Sequence, residues 1–239
     1  MTLRRRGRPD WAPMTPSPGR VAVALAVSLL AVLTSCAGER GGATAPPFED
    51  AGTTSLAGTP ASTTAPPIES IAMVGDSITN GSKVELLEQL ATLGVEVKAI
   101  DAEDGRRIAA GDSVTPGIAA VRALAAGDAP DLWVIALGTN DVGTGPEVYT
   151  PGISELVAAI PAGAPIVWVD VYVAHSPDAS AMFNETLRAT LEARGQSSVV
   201  EWADVADEDG VLRDGIHPSG YGIEQFAELV TAGVGEWMS

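Results

Sequence analysis

At 239 residues the chain has room for one globular domain plus extensions. Hydrophobic residues make up 46% of it and charged residues 19%, which excludes a disordered or fibrous chain, and 5% aromatics predicts a mostly aliphatic core. A formal net charge of −17 repels phosphate and carboxylate groups, so nucleic acid and acidic polymers are disfavoured as partners.

The chain opens on a segment that precedes any fold. Arg4, Arg5, Arg6, Arg8 and Arg20 come before an apolar run from Val21 to Leu33, the pattern of an export signal over residues 1–35. That run of about 13 residues falls short of the roughly 20 a spanning helix needs, so a cleaved signal is expected rather than a permanent membrane span. It ends in Leu33-Thr34-Ser35-Cys36, which resembles a lipobox, where the cysteine is acylated after cleavage before it. Cys36 is the only cysteine, so no intramolecular disulfide can form, and lipidation would occupy an otherwise exposed thiol. A plain secretory signal with an incidental cysteine is the alternative. The segment before Cys36 holds five Arg and one Asp, and its loss takes the net charge to −21. The expected location is the outer face of the cell membrane, with Cys36 as the anchor. Residues 36–69 are rich in Gly, Ala, Thr, Ser and Pro, with Pro46-Pro47 and Pro66-Pro67, and read as a flexible tether.

Over residues 70–239 short apolar runs alternate with longer amphipathic stretches, the pattern of strand and helix units feeding a parallel sheet. Strands are predicted at Ile71–Val74, Val95–Ile100, Leu132–Leu137, Ile166–Val171 and Val199–Trp202. Helices are predicted at Lys83–Leu93, Pro116–Ala126, Pro151–Ala159, Ala179–Arg194 and from Ser219 to about Val234. The expectation is an α/β fold: a three-layer α/β/α sandwich around a five-stranded, mostly parallel sheet. Active sites of such sheets form at the carboxyl ends of the strands.

Three segments lie at those ends. After the first strand comes Gly75-Asp76-Ser77-Ile78-Thr79-Asn80, which sets a serine at a strand-to-helix turn. Gly-Asp-Ser also makes ordinary turns, and it recurs at Gly111-Asp112-Ser113. After the third strand, Gly138-Thr139-Asn140-Asp141 brings an amide able to donate to an oxyanion. The second strand leads into Asp101 to Arg106, where Gly105 can turn a backbone N–H toward the same point. Near the C-terminus, Asp214-Gly215-Ile216-His217-Pro218 contains one of only two histidines. A serine hydroxyl needs an imidazole base, and the imidazole needs a carboxylate to fix its tautomer. Alone, Asp-x-x-His is equally a loop turn closed by a side-chain hydrogen bond.

In order, Gly-Asp-Ser-Ile-Thr, Gly105, Gly-Thr-Asn-Asp and Asp-Gly-Ile-His resemble the four blocks of the SGNH/GDSL hydrolases, from about Ile71 to the end of the chain. Ile78 stands where that family usually has Leu. The resemblance implies a flavodoxin-like fold, Ser77 as nucleophile, His217 as base and Asp214 as the acid that orients it. It also implies an oxyanion hole of the Ser77 and Gly105 N–H groups and the Asn140 side chain. No cofactor and no metal are expected, since the chain carries neither clustered His or Cys ligands nor a Gly-rich phosphate loop.

Other features carry plainer readings. His175 is expected in a surface loop, with a substrate contact at the edge of the site as the alternative. The acidic run Asp204, Asp207, Glu208, Asp209 and Gly210 has Val205 and Ile216 where a calcium loop needs carboxylates, so a solvated loop is expected. Trp133, Trp168 and Trp202 are expected in the core. The implied activity is carboxylic ester hydrolysis, with a short-chain acyl or O-acetyl ester, free or borne on a glycan, as substrate. An O-acyltransferase acting on wall or surface glycans and a non-catalytic wall-binding lipoprotein are the alternatives.

Overall fold

The computed structural model describes residues 67–109 and 114–238. The export segment, Cys36, most of the tether and the second Gly-Asp-Ser at Gly111 to Ser113 lie outside the described residues. Strands β1 (Ser70–Gly75), β2 (Glu96–Ala102), β3 (Leu132–Ala136), β4 (Ile166–Val169) and β5 (Ser197–Val200) form one sheet in the order β2-β1-β3-β4-β5. Every neighbouring pair runs parallel, so the sheet is wholly rather than mostly parallel. The chain reverses its direction of winding between β1 and β3, and this leaves a crevice beyond their carboxyl ends.

Alternation along the strands divides the core into two layers. Ile71, Met73, Leu132, Val134, Val167 and Val169 pack with α1 (Ser77–Ala91) and α6 (Gly220–Gly235). Val74, Trp133, Ile135, Ile166 and Trp168 pack on the other face with α2 (Gly117–Ala126), α3 (Pro146–Ala159) and α4 (Pro177–Arg194). A strand covered on both faces is an unbroken apolar run, which is what Leu132–Ala136 and Ile166–Val169 are. Trp133, Trp168 and Trp202 are all buried, and the Trp168 indole donates to the Leu137 carbonyl at 3.0 Å.

Several element boundaries depart from the sequence expectation. α1 begins at Ser77 rather than Lys83 because the Asp76 carboxylate accepts from the Ile78 N–H at 3.0 Å, while Ile78, Thr79 and Ser82 are buried. α3 begins at Pro146 rather than Pro151, since a proline in the first turn forfeits no hydrogen bond, and the helix continues through Pro151. Trp202 does not end β5. It opens a short helix, α5 (Trp202–Ala206), whose Ala203 N–H donates to Asp170 Oδ1 at 2.7 Å. That cap comes from the end of β4, so no local sequence signal announces it. Among the described residues no helix is long and apolar enough to cross a membrane.

Candidate active site

β1 ends at Gly75, where an added Cβ would lie 2.0 Å from Thr79 Oγ1. Only glycine lets α1 turn back this tightly against the strand. Asp76 caps the helix and Ser77 is its first residue, half-buried at the carboxyl end of β1. The Ser77 N–H therefore belongs to the first helical turn, whose N–H groups have no acceptor within the helix and sit at the positive end of its dipole. Ser77 Oγ lies 3.1 Å from His217 Nε2.

His217 is presented by a loop that closes on itself. Asp214 Oδ1 accepts from the N–H groups of Ile216 at 3.1 Å and His217 at 2.8 Å, and Asp214 Oδ2 lies 2.9 Å from His217 Nδ1. The Arg213 N–H donates to the His217 carbonyl at 2.9 Å, and Leu212 bridges Pro218 in antiparallel fashion. Ser219 ends the loop by capping α6, accepting from the Gly222 N–H at 3.1 Å. With a carboxylate at Nδ1, the neutral ring carries its proton there, and the Nε2 lone pair faces the Ser77 hydroxyl. These three side chains thus stand in line for proton withdrawal from Ser77 Oγ. The N–H bonds from His217, then its ring, hold the Asp214 carboxyl well below the ordinary 3.8, at about 2.

The opposite wall is assembled from distant segments. Gly105 has φ of +75°, a left-handed conformation, in the exposed turn after β2. Beside it the Arg106 side chain is wholly buried. Its guanidinium donates to the carbonyls of Gly75 at 3.3 Å, Asp101 at 2.7 Å and Thr115 at 3.0 Å, and pairs with the carboxylates of Asp101 and Glu103. This one side chain ties the end of β1 to both ends of the β2–α2 connection. Asp141, also buried, accepts from the Ile108 N–H at 3.1 Å and pins the same connection from the β3 side. Asn140 Nδ2 donates to the Arg106 carbonyl at 3.0 Å and to Asp76 Oδ2 at 3.3 Å. Ser77, Gly105 and Asn140 are thereby held along one edge of the sheet.

Burial dominates the carboxylates beneath this wall. It pushes Asp76 up to about 7, against the opposing bonds from Ile78 and Thr139, and pushes Asp141 and Asp170 up to about 6. Asp170 is paired with Arg188 at 2.7 Å. Sequence reasoning did not single out Asp76, Arg106, Asp141 or Asp170 as parts of the site's frame. For Arg106 the one available signal was a pair of cations, Arg106 and Arg107, directly after Asp101, Glu103 and Asp104.

Several features stand apart. His175 is exposed in the loop after β4, although its neighbour Ala174 donates to the Gly215 carbonyl at 2.8 Å. The acidic run from Asp204 to Gly210 forms most of α5 and the exposed turn after it, with Asp207 accepting from the Tyr172 hydroxyl. A cavity of about 650 Å³ opens between α4 and α5, lined by Asp170, Tyr172, Asn184 and Arg188 among others, and includes none of Ser77, Asp214 and His217.

This fold recurs among solved structures. The chain is similar to an aryl esterase of M. smegmatis in its inhibitor-bound form, at 19% identity and a TM-score of 0.58, over 71% of this chain and 99% of that one. It is similar to a protein of Slackia heliotrinireducens assigned to the SGNH hydrolases, at 24% identity and a TM-score of 0.55, over 72% and 100%. It is also similar to the C-terminal catalytic domain of peptidoglycan O-acetyltransferase A from Streptococcus pneumoniae, at 18% identity and a TM-score of 0.56, over 72% and 94%. At these identities the likeness is one of fold. No curated protein sequence matches the chain. The model of the GDSL-like lipase/acylhydrolase family matches residues 73–224, from inside β1 to the first turns of α6, and the chain belongs to that family.

Proposed function

We propose that the protein is an exported serine esterase that hydrolyses short-chain acyl or O-acetyl esters through an acyl-serine intermediate. The observation that carries the reading is the line from Asp214 Oδ2 through His217 to Ser77 Oγ, at 2.9 and 3.1 Å. In this mechanism Ser77 Oγ attacks the ester carbonyl as His217 Nε2 takes its proton. The oxyanion that forms is met by the Ser77 and Gly105 N–H groups and the Asn140 amide. Collapse breaks the bond to the leaving alcohol, which departs with the proton from His217. Water then repeats the cycle on the acyl-serine, releasing the acid and restoring Ser77. Asp214, held at about 2, stays ionised throughout and stabilises the imidazolium.

Fluorophosphonate labelling tests this reading. The expected result is a covalent adduct on Ser77, absent in Ser77→Ala; an unlabelled native protein would favour the non-catalytic wall-binding alternative. Export and anchoring rest on residues 1–36 alone. Cys36→Ala is expected to release the protein from membranes, and unchanged retention would remove the lipid anchor from the proposal. If the signal is cleaved and Cys36 acylated, residues 36–69 form the tether and residues 70–239 the catalytic domain.

A second reading, acyl transfer to a glycan hydroxyl, is favoured by the openness of the base. The His217 side chain is 32% exposed and that of Asp214 49%, so an acceptor larger than water can approach. The fold shared with a peptidoglycan O-acetyltransferase is compatible with it. Comparing acetate released in water with acetyl transferred to added oligosaccharide separates the two.

A further inference from the structure

We propose that Asp76 is a positioning residue for the reaction: its one carboxylate ties the nucleophile's turn to the oxyanion-hole amide. This rests on the reading of Asn140 as an oxyanion donor. A helix cap needs a single side-chain oxygen, usually in contact with solvent, and Ser or Thr supplies it as well as Asp. Asp76 is only 1% exposed, and burying a carboxylate is costly unless its remaining lone pairs are used. They are used toward the site. Oδ1 accepts from the Ile78 N–H at 3.0 Å, immediately after Ser77, and Oδ2 accepts from Asn140 Nδ2 at 3.3 Å.

The consequence for Asn140 is orientation. Its Nδ2 stands between two acceptors, Asp76 Oδ2 and the Arg106 carbonyl at 3.0 Å. An amide flipped by 180° would set its own oxygen against both, so the pair of acceptors fixes the NH₂ group toward Asp76, the residue before Ser77, and the Arg106 carbonyl. The longer of the two bonds, to Asp76, is the one an oxyanion at Ser77 can draw on as charge develops. Asp76 therefore acts through Asn140 and touches no reacting atom.

Steady-state kinetics of Asp76→Asn, Asn140→Ala and the double variant test the coupling. The amide of Asp76→Asn keeps an oxygen for the Ile78 N–H but turns an NH₂ toward the NH₂ of Asn140. The expected result is a kcat loss of roughly 10- to 100-fold with KM little changed, and a double variant no slower than Asn140→Ala alone. Losses that multiply would overturn the proposal. An unchanged kcat in Asn140→Ala would instead overturn the oxyanion reading on which it rests. A second measurement needs no substitution at position 76. The Asn140 side-chain NH₂ resonances should shift as Asp76 titrates, and unmoved resonances would overturn the proposal even if Asp76→Asn fails to fold. Asp141 from the β3 end, His217 from the loop before α6, Asp170 from the β4 end and the Arg106 guanidinium also face this region. Repeating the titration in His217→Ala and Asp141→Asn assigns the shift.

Discussion

The two walls of the site are built at opposite ranges along the chain. The base wall is local: Asp214, Ile216, His217 and the bridge from Leu212 to Pro218 are bonded within one short loop. The wall proposed to meet the oxyanion is not. Asn140 depends on Asp76 and on Arg106, and Arg106 depends on Gly75, Asp101 and Thr115. A wall held by short-range contacts can be altered at one side chain without unsettling the fold. A wall held by a buried network cannot, because each member leaves unsatisfied partners behind.

The largest expected effect lies where the walls meet. Ser77→Ala should lower esterase activity on p-nitrophenyl acetate by roughly 10⁴-fold or more, while Ser113→Ala should leave it intact. Equal losses would detach the first Gly-Asp-Ser from the chemistry. On the base wall, Asp214→Asn should cost a similar roughly 10⁴-fold in kcat through loss of the proper tautomer. Its melting temperature should barely move, because the Asp214 side chain is half exposed and its bonds are confined to the loop. A large fall in melting temperature would break the comparison.

On the other wall, Asn140→Ala should lower kcat by roughly 10²- to 10³-fold with KM nearly constant, the outcome expected of an amide that, as proposed, meets the oxyanion in the transition state. A rise in KM alone would make Asn140 a ground-state contact. Arg106→Met should register in stability as well as in rate. Removing a buried guanidinium that serves three carbonyls and two carboxylates should cost about 3 kcal/mol in chemical denaturation, together with part of kcat. A stable but slow Arg106→Met would make its role purely catalytic.

The smallest effect concerns pH. Asp76 at about 7, and Asp141 and Asp170 at about 6, lie above the ordinary carboxylate value of 3.8. Between those values the folded chain keeps protons that the unfolded chain has lost, so stability falls as pH rises through this window. Melting temperature should therefore decline from about pH 5 to about pH 8, and Asp141→Asn should flatten the decline. Asp214 acts in the opposite sense: its contribution is present above the unfolded value and is lost as pH falls toward about 2. Activity should fall in acid for a separate reason, since protonated His217 cannot accept the Ser77 proton. A melting temperature that climbs from pH 5 to 8 would mean that these carboxylates are better solvated than their burial implies.

The amino-acid sequence by itself determined the central strands β1, β3 and β4, because a strand covered on both faces is an unbroken apolar run, and with them the α/β class. It also placed Asp214 and His217 within one loop, since three residues of spacing already bring carboxylate and ring together. Tertiary structure alone decided the rest. Asp76, which caps α1 locally through one oxygen, is buried where its second oxygen finds Asn140, and α5 is capped by Asp170 from the end of β4. Arg106 became the tie beneath Gly105 only when β1 and β2 lay side by side. A buried polar group declares its purpose through the partners that desolvate it, and the partners that join the walls here, Asn140 for Asp76, Gly75 for Arg106 and Ala203 for Asp170, lie dozens of residues away in the chain.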